Sequence, residues 1–415
     1  MSRFRGNDEL MDNSVTQSPE IIRIAAKGDG VTADGRHVPL SAPGDRLSPD
    51  GGLIHGPHHA QPLCRHFPLC GGCQLQHLDD QSLATYVRDR VAGALVGQGV
   101  SAQEVLPAHV SPPMSRRRAS LRAARFGRKL HVGFSSENSH RIVDMEMCSI
   151  LHPALFALVE PLRDLLHDLV GDRRAAHIRM TLTDQGVDLL LENVGADGLE
   201  TAERLTAFAQ AQGLARLSID EGYGPQTRWE PEPVTVSFGG VPVPFLPFAF
   251  LQATQDGEAA LVEAVRAATA SARTIADLFS GLGTFALSVG QDKAVYAGEA
   301  ARDLVLSLKA AANRTQRKFA ADHRDLFRRP LIPAELNRFD AVILDPPRAG
   351  AREQVLQLAE ATVPVIAYVS CNPGSFARDA KLLIEAGYVL KSVKPVGQFR
   401  WSTHVELVGV FERSA

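Results

Sequence analysis

Five cysteines, a few acids and a glycine-rich turn carry most of the chemistry this 415-residue chain can do. Cys64, Cys70 and Cys73 form C-x5-C-G-G-C, and Cys148 lies apart in DMEMCSI. Four thiolates can close a tetrahedral zinc site or hold an iron-sulfur cluster; zinc more often takes paired C-x2-C units, so three clustered cysteines and a distant fourth lean towards [4Fe-4S]. Gly71 and Gly72 let the backbone wrap tightly around a metal. The segment DLFSGLGTFA, from Asp277 to Ala286, reads as a strand ending at Phe279, a tight turn at Gly281 and Gly283, and a helix beyond it. That arrangement brings a nucleotide-like ligand up to the backbone at a helix N-terminus. Glu299 stands 22 residues after Asp277 and closes AVYAGE, where a carboxylate can bind both ribose hydroxyls. These two features fit an adenosine ligand, a nicotinamide dinucleotide included.

LDPPR, Leu344 to Arg348, separates those ligands. Two prolines after Asp345 make a stiff loop with little donor capacity and hold the carboxylate at the carboxyl edge of a sheet. D-P-P in this place is similar to loops of S-adenosylmethionine enzymes acting on nucleobases. Amino-methylating enzymes usually continue with an aromatic residue; here Arg348 follows, which points to carbon methylation. Carbon 5 of uracil is a poor nucleophile, so a thiolate must add at C6 and a base must later remove the C5 proton. Cys371 follows the apolar run VIAYV in SCNPGSFARD, 26 residues after Asp345. Glu406 interrupts the apolar strand THVELVGVF, where burial would raise its pKa and make it a better proton acceptor.

These residues need a scaffold. From about Leu251, short apolar runs (TIADLF, AVYAGE, FDAVILD, VIAYVS) alternate with helical segments, the pattern of parallel strands buried on both faces. The fold class expected is α/β: a C-terminal Rossmann-like methyltransferase domain over 246–415, after a mixed α+β iron-sulfur and RNA-binding region over 61–245. Residues 1–17 read as a disordered tail, and 18–60 as a short β segment and a Gly/Pro/His-rich linker. QSLATYVRDRVAGALVGQG reads as a helix. His55, His58 and His59 read as linker composition. The net charge of −3 hides a basic stretch between Ser115 and Arg141, where Arg116, Arg117, Arg118, Arg122, Arg125, Arg128, Lys129 and Arg141 face the single acid Glu137; phosphate contacts are expected there. No run of eighteen apolar residues offers a membrane span and the polar start lacks a signal-peptide core, so a cytoplasmic protein is expected.

The C-x5-C-G-G-C-Q-L-Q-H knot with Cys148, F-L-Q at 250 to 252, DLFSGLGTF, LDPPRAGA, SCNPGSFARD and HVE together resemble the RNA uracil-C5 methyltransferases, specifically the iron-sulfur-containing 23S rRNA branch. IIRIAAKGDGV...VPLSAPGD resembles an abbreviated TRAM β-barrel. The resemblance implies Cys371 as nucleophile and Glu406 as C5 base, with Gln252, Phe279, Thr284, Glu299, Asp325 and Asp345 lining the S-adenosylmethionine and uracil sites. It implies a [4Fe-4S] cluster on Cys64, Cys70, Cys73 and Cys148, structural or RNA-positioning rather than redox. The chain departs from the family where Thr254, Thr284 and Asp325 stand in places often held by Asn. RNA, 23S rRNA above all, is the expected partner, with no membrane and no obligate protein partner. A tRNA uracil-C5 methyltransferase is the alternative; a nucleic-acid amino-methyltransferase, a non-catalytic RNA-binding protein and a dehydrogenase explain fewer residues.

Overall fold

The computed structural model describes residues 18–137, 139, 141–290 and 292–413; the tail expected over 1–17 lies outside them. The chain opens with an antiparallel sheet of β1 (Ile21–Ile24), β2 (Gly30–Thr32) and β3 (His37–Val38), then a hairpin of β4 (Arg46–Leu47) and β5 (Leu53–Ile54). The histidine-rich segment that follows is tied down. His59 Nδ1 lies 2.8 Å from the fully buried Asp45, and His58 Nδ1 2.8 Å from Asp79. Asp79 is also the N-cap of α1 (Asp80–Gly97), accepting the Ser82 N–H at 2.7 Å. Two short strands, β6 (Glu104–Val105) and β7 (His109–Val110), complete this stretch.

The middle of the chain contributes β8 (Arg118–Phe126), β9 (Lys129–Gly133), α2 (Pro153–Phe156), α3 (Val159–Leu169), β10 (Ala175–Thr183), β11 (Gly186–Glu192), α4 (Leu199–Ala211), β12 (Arg216–Asp220) and β13 (Gln226–Trp229). They form a six-stranded sheet in the order β13-β12-β11-β10-β8-β9. Alternation decides its faces: Ala119, Leu121, Ala123, Ile178 and Met180 are buried in one core with Leu162 and Leu166 of α3, while Ser120, Arg122, His177 and Arg179 point the other way.

The remainder runs β14 (Thr235–Phe238), β15 (Val241–Pro244), α5 (Gln255–Ala268), β16 (Thr274–Leu278), β17 (Ala294–Glu299), α6 (Arg302–Ala312), β18 (Phe319–His323), α7 (Pro333–Leu336), β19 (Ala341–Leu344), α8 (Arg352–Glu360), β20 (Val365–Ser370), α9 (Pro373–Glu385), β21 (Tyr388–Gly397) and β22 (Glu406–Arg413). The large sheet has the order β18-β17-β16-β19-β20-β22-β21-β6, with β7 also on β21. Strands β16 to β20 run parallel, and β22 is antiparallel to both its neighbours. The four apolar runs of the sequence are β16, β17, β19 and β20; the fifth parallel strand, β18 (FAADH), is less apolar and lies at the sheet edge. Strand β16 sits between β17 and β19, the switch point outside whose carboxyl end open α/β sheets bind ligands. Helix α1 packs its Leu83, Tyr86, Val87 and Val91 into the core of this sheet, and β6 and β7 extend its edge, so residues before the middle sheet belong to the C-terminal layer.

Candidate active site

The turn after β16 departs from expectation. The strand ends at Leu278, and residues 281–288 form hydrogen-bonded turns instead of a regular helix. Phe279, Gly281 and Gly283 all take left-handed backbone (φ +64°, +54° and +92°), and Asp277 reaches into the turn to accept the Ala286 N–H at 2.8 Å. Holding a phenylalanine at positive φ costs on the order of 1–3 kcal/mol, strain of the kind found at ligand sites. Glu299 braces the same turn: one oxygen accepts the Gly281 N–H at 3.0 Å, the other the Ala301 N–H at 2.8 Å. Phe279 packs on Phe327 at 5.3 Å, and Asp325 holds that segment by accepting the Phe327 N–H at 3.1 Å. Thr284 lies half-buried within the turn.

Asp345 follows β19 and donates its N–H to Leu278 at 3.2 Å, which sets it beside the turn. Burial pushes its carboxyl up to about 7. Asp277, fully buried, is raised well above the usual carboxylate range by desolvation and then by Asp345 and Glu299, and its second oxygen has no hydrogen-bond partner. The Ser280 hydroxyl is likewise buried and unpartnered. Three crowded carboxyls with an unsatisfied oxygen suit a cationic ligand.

Strand register places the next pair. Ser370 of β20 is opposite Leu407 of β22, so Cys371, one residue on, comes abreast of Glu406 at the same sheet edge. Burial pushes the Cys371 thiol up to about 11, reinforced by Glu406 and Asp345 and opposed by Arg348. Glu406 is pushed up to about 8 by burial and then by Asp345, with a hydrogen bond from Gln398 and the charge of Arg348 pulling the other way. Asn372 caps α9 through its side chain, accepting the Gly374 N–H at 3.0 Å, and its amide donates to the Arg348 carbonyl at 3.0 Å. Cys371 and the D-P-P loop are thereby fixed to one another.

Gln252 is buried, its side-chain oxygen accepting from Gln398 at 2.7 Å, while the Gln398 oxygen accepts the Ala253 N–H at 2.8 Å. Gln398, which touches both Gln252 and Glu406, escaped the sequence reading; a Gln following a strand carries no signal of its own. Thr254 caps α5 and hydrogen-bonds Ser111 at 2.8 Å. The basic stretch is redistributed. Arg117 turns inward to Glu258 (2.6 Å) and the Gln252 carbonyl (3.1 Å), and Arg118 to the Leu251 carbonyl (2.6 Å). Arg125 donates to the carbonyls of Gly127 and His167. These arginines clamp backbone instead of presenting charge, because carbonyls within reach satisfy their donors.

The comparisons with known proteins follow this geometry. The family described as tRNA (Uracil-5-)-methyltransferase matches residues 249–414. An RNA methyltransferase of Zymomonas mobilis, itself uncharacterized, is 54% identical over 95% of this chain and 99% of its own length. The 23S rRNA (uracil(1939)-C(5))-methyltransferase of Halomonas elongata is 31% identical over 85% of this chain and 76% of its own. The chain belongs to the RNA uracil-C5 methyltransferase family. It is an S-adenosylmethionine-dependent RNA methyltransferase. Its fold is that of Pyrococcus abyssi tRNA (uracil-54, C5)-methyltransferase in complex with S-adenosyl-L-homocysteine, at TM-score 0.72 and 23% identity over 96% of this chain and 100% of the other.

A row of guanidinium–ring contacts lines the neighbouring face. Here Arg118 stacks on Phe250 at 5.0 Å, Arg179 on Phe248 at 3.8 Å, and Arg116 on Phe399 at 5.3 Å and Phe134 at 5.7 Å; Arg116 and Arg118 were singled out from sequence in the basic stretch, and of the rings only Phe250, within F-L-Q. Behind Phe134 lies a cavity lined by all four clustered cysteines with Phe67, Met145, Met147 and Ile150. Desolvation raises the Cys70, Cys73 and Cys148 thiols, Cys73 up to about 12, and the neighbouring sulfurs add to each shift. A side chain on Gly71 would lie 2.7 Å from the Ser135 carbonyl, so the loop closes around the cavity only with glycine there. Among the described residues no group of three or more His, Cys, Asp or Glu side chains is set to hold a single metal ion. No helix of the described residues is long and apolar enough to cross a membrane.

Proposed function

We propose that this enzyme methylates C5 of a uridine in 23S rRNA through a covalent adduct between Cys371 and C6. The observation that carries this reading is the β20/β22 register, which brings a thiol and a buried carboxyl abreast at the edge where Asp345 stands. Cys371, half-exposed, gives its proton to solvent and its sulfur bonds to C6; the displaced C5–C6 π electrons make C5 nucleophilic. Bound S-adenosylmethionine supplies an electrophilic methyl group, and its positive charge offsets the carboxyls of Asp277, Asp345 and Glu299. Glu406 removes the C5 proton, the electrons re-form the double bond, and the sulfur leaves with the pair that bound it. Gln252 and Gln398 hold the Glu406 side of the site, and Glu299, Phe279, Thr284 and Asp325 the donor side.

Cys64, Cys70, Cys73 and Cys148 fit a [4Fe-4S] cluster as an all-thiolate donor set around one apolar cavity, where it would serve structure or RNA placement. Residues 18–60 read as an abbreviated TRAM-like β segment and linker, and the cytoplasm as the site of action.

A tRNA substrate is the second reading, favoured by the family description and by the substrate of the Pyrococcus abyssi enzyme. Transfer of labelled methyl to 23S rRNA and to tRNA, by wild type and Cys371→Ala under anaerobic conditions, tests both. Label at C5 of uridine in 23S rRNA with wild type alone is expected. Activity surviving in the mutant sinks covalent catalysis; label confined to tRNA overturns the substrate.

A further inference from the structure

The uncovered face of the six-stranded sheet offers more than the wall of the active site. On β8 the outward residues are Arg118, Ser120, Arg122, Ala124 and Phe126. Arg118 and Ser120 line the cavity shared with Phe248, Phe250 and Phe399; Arg122, Ala124 and Phe126 line a second one with His131, Arg141, Arg173 and Arg174. The two cavities are therefore successive stations on one strand. From Arg118 to Phe126 this strand spans about 26 Å at ~3.3 Å per residue.

Charge on this face is only partly compensated at its far end, where Arg173 lies 4.0 Å from Asp172 and His131 3.9 Å from Asp144. Arg179, near the active site, is paired with Glu192 at 2.7 Å. Arg122, Arg141 and Arg174 have no carboxylate partner among the described residues, and the Arg122 Nε is buried without any hydrogen-bond acceptor. Arg141 and Arg174 are exposed. Phe126 is 61% exposed, a large apolar ring set among cations and edge-on to His131 at 6.0 Å. A guanidinium cluster around an accessible aromatic ring matches a polyanion that also carries flat bases, and RNA is such a polymer.

The geometry points to a second RNA station, beginning at Arg122 about 13 Å along the strand from Arg118 and ending at Phe126 about 26 Å along it, where Arg122, Arg141 and Arg174 hold phosphates and Phe126 stacks a base of the strand flanking the target uridine. This rests on the reading of the protein as an RNA methyltransferase, and it adds a site remote from the reacting base.

The test is the salt dependence of binding, which needs no methyl transfer. A fluorescein-labelled 20-nucleotide single-stranded RNA and a 23S rRNA transcript are titrated with wild type, Arg141→Ala/Arg174→Ala, Arg122→Ala, and a control losing equal charge elsewhere, Arg204→Ala/Arg266→Ala. Each lost phosphate contact removes about 0.7 from the slope of log K against log salt on single strands. The double variant is therefore expected to lower the slope by about 1.4, and Arg122→Ala by about 0.7, with the control unchanged. Phe126→Ala should weaken the 20-mer about tenfold while leaving the slope alone. Unchanged slopes in the Arg141/Arg174 and Arg122 variants, or an equal loss in the control, overturn the station. A Cys371→Ala protein that binds RNA with the wild-type slope, or one that still methylates, bears on the catalytic reading alone, so the two failures are distinguishable.

Discussion

Cys371 rests as a thiol, not a thiolate. Its pKa is pushed up to about 11, so the protonated thiol prevails at neutral pH. The cause is local: desolvation first, then Glu406 and Asp345. An opposite charge within a few ångströms shifts a pKa by about 1–3 units, so a cationic donor in place favours the nucleophile. In the proposed reaction Glu406, ionised once a bound cationic donor lowers its pKa, takes the later proton, and Glu406→Gln is expected to complete addition and methyl transfer but stall before elimination. A labelled protein–RNA adduct surviving a denaturing gel would show this, with turnover reduced at least a hundredfold; free methylated RNA at wild-type rate would remove Glu406 from the role. The same shifts predict stability. Asp345 and Glu406 keep their protons in the folded chain up to about 7 and 8, whereas the unfolded chain releases them near its ordinary carboxylate pKa values. Between those limits the unfolded state binds fewer protons, so stability is present at low pH and lost as pH rises through about 7 to 8. The Tm of the donor-free protein should fall from pH 5 to 8, and Glu406→Gln should reduce that fall by a few degrees in calorimetry.

Elements place these groups by a few fastenings. The loop after Asp345 is strapped to α9: the Ala351 N–H donates to Asp379 at 2.9 Å, Tyr368 donates to the same carboxylate at 2.7 Å, and Arg378 and Ser375 hold the carbonyls of Ala349 and Arg348. Asp379 is fully buried, so Asp379→Asn loses charge-assisted bonds worth about 1–3 kcal/mol. Because it acts through the loop, kcat should fall while S-adenosylmethionine affinity changes little; calorimetric titration beside steady-state kinetics separates this from general unfolding. Much of this layer was legible. The parallel strands read directly from VIAYVS and FDAVILD, since burial on both faces leaves continuous apolar runs. The helix expected after DLFSGLG was not formed, because Phe279, Gly281 and Gly283 in left-handed backbone and the inserted Asp277 carboxylate favour turns. The basic stretch was legible as composition only: whether Arg117 meets Glu258 or solvent depends on a residue 141 positions away.

Across the whole molecule, the four cysteines stand where two cores meet. Cys73 is buried in the core of the large sheet, whereas Cys148 packs against both that core and the core of the six-stranded sheet. Arg116 runs from this place to Phe399, beside the active site, and the sulfurs of Cys70, Cys73 and Cys148 act on its charge. An inorganic cluster held by Cys64, Cys70, Cys73 and Cys148 would thus join the catalytic layer to the RNA-facing layer. The spacing alone left zinc and iron-sulfur open, leaning towards iron-sulfur, and a cavity lined by all four thiols is compatible with either, so metal content decides between them. Protein purified without air is expected to carry about four iron atoms and four sulfides per chain, and Cys148→Ala to lose most of them. If the cluster joins the layers, its removal by chelation should split one melting transition into two, or lower Tm by several degrees, since a group bound only by the folded state stabilises it. Zinc alone should restore neither. A single unshifted transition in iron-free protein would leave the cysteines as buried thiols and break the proposed link between the two layers.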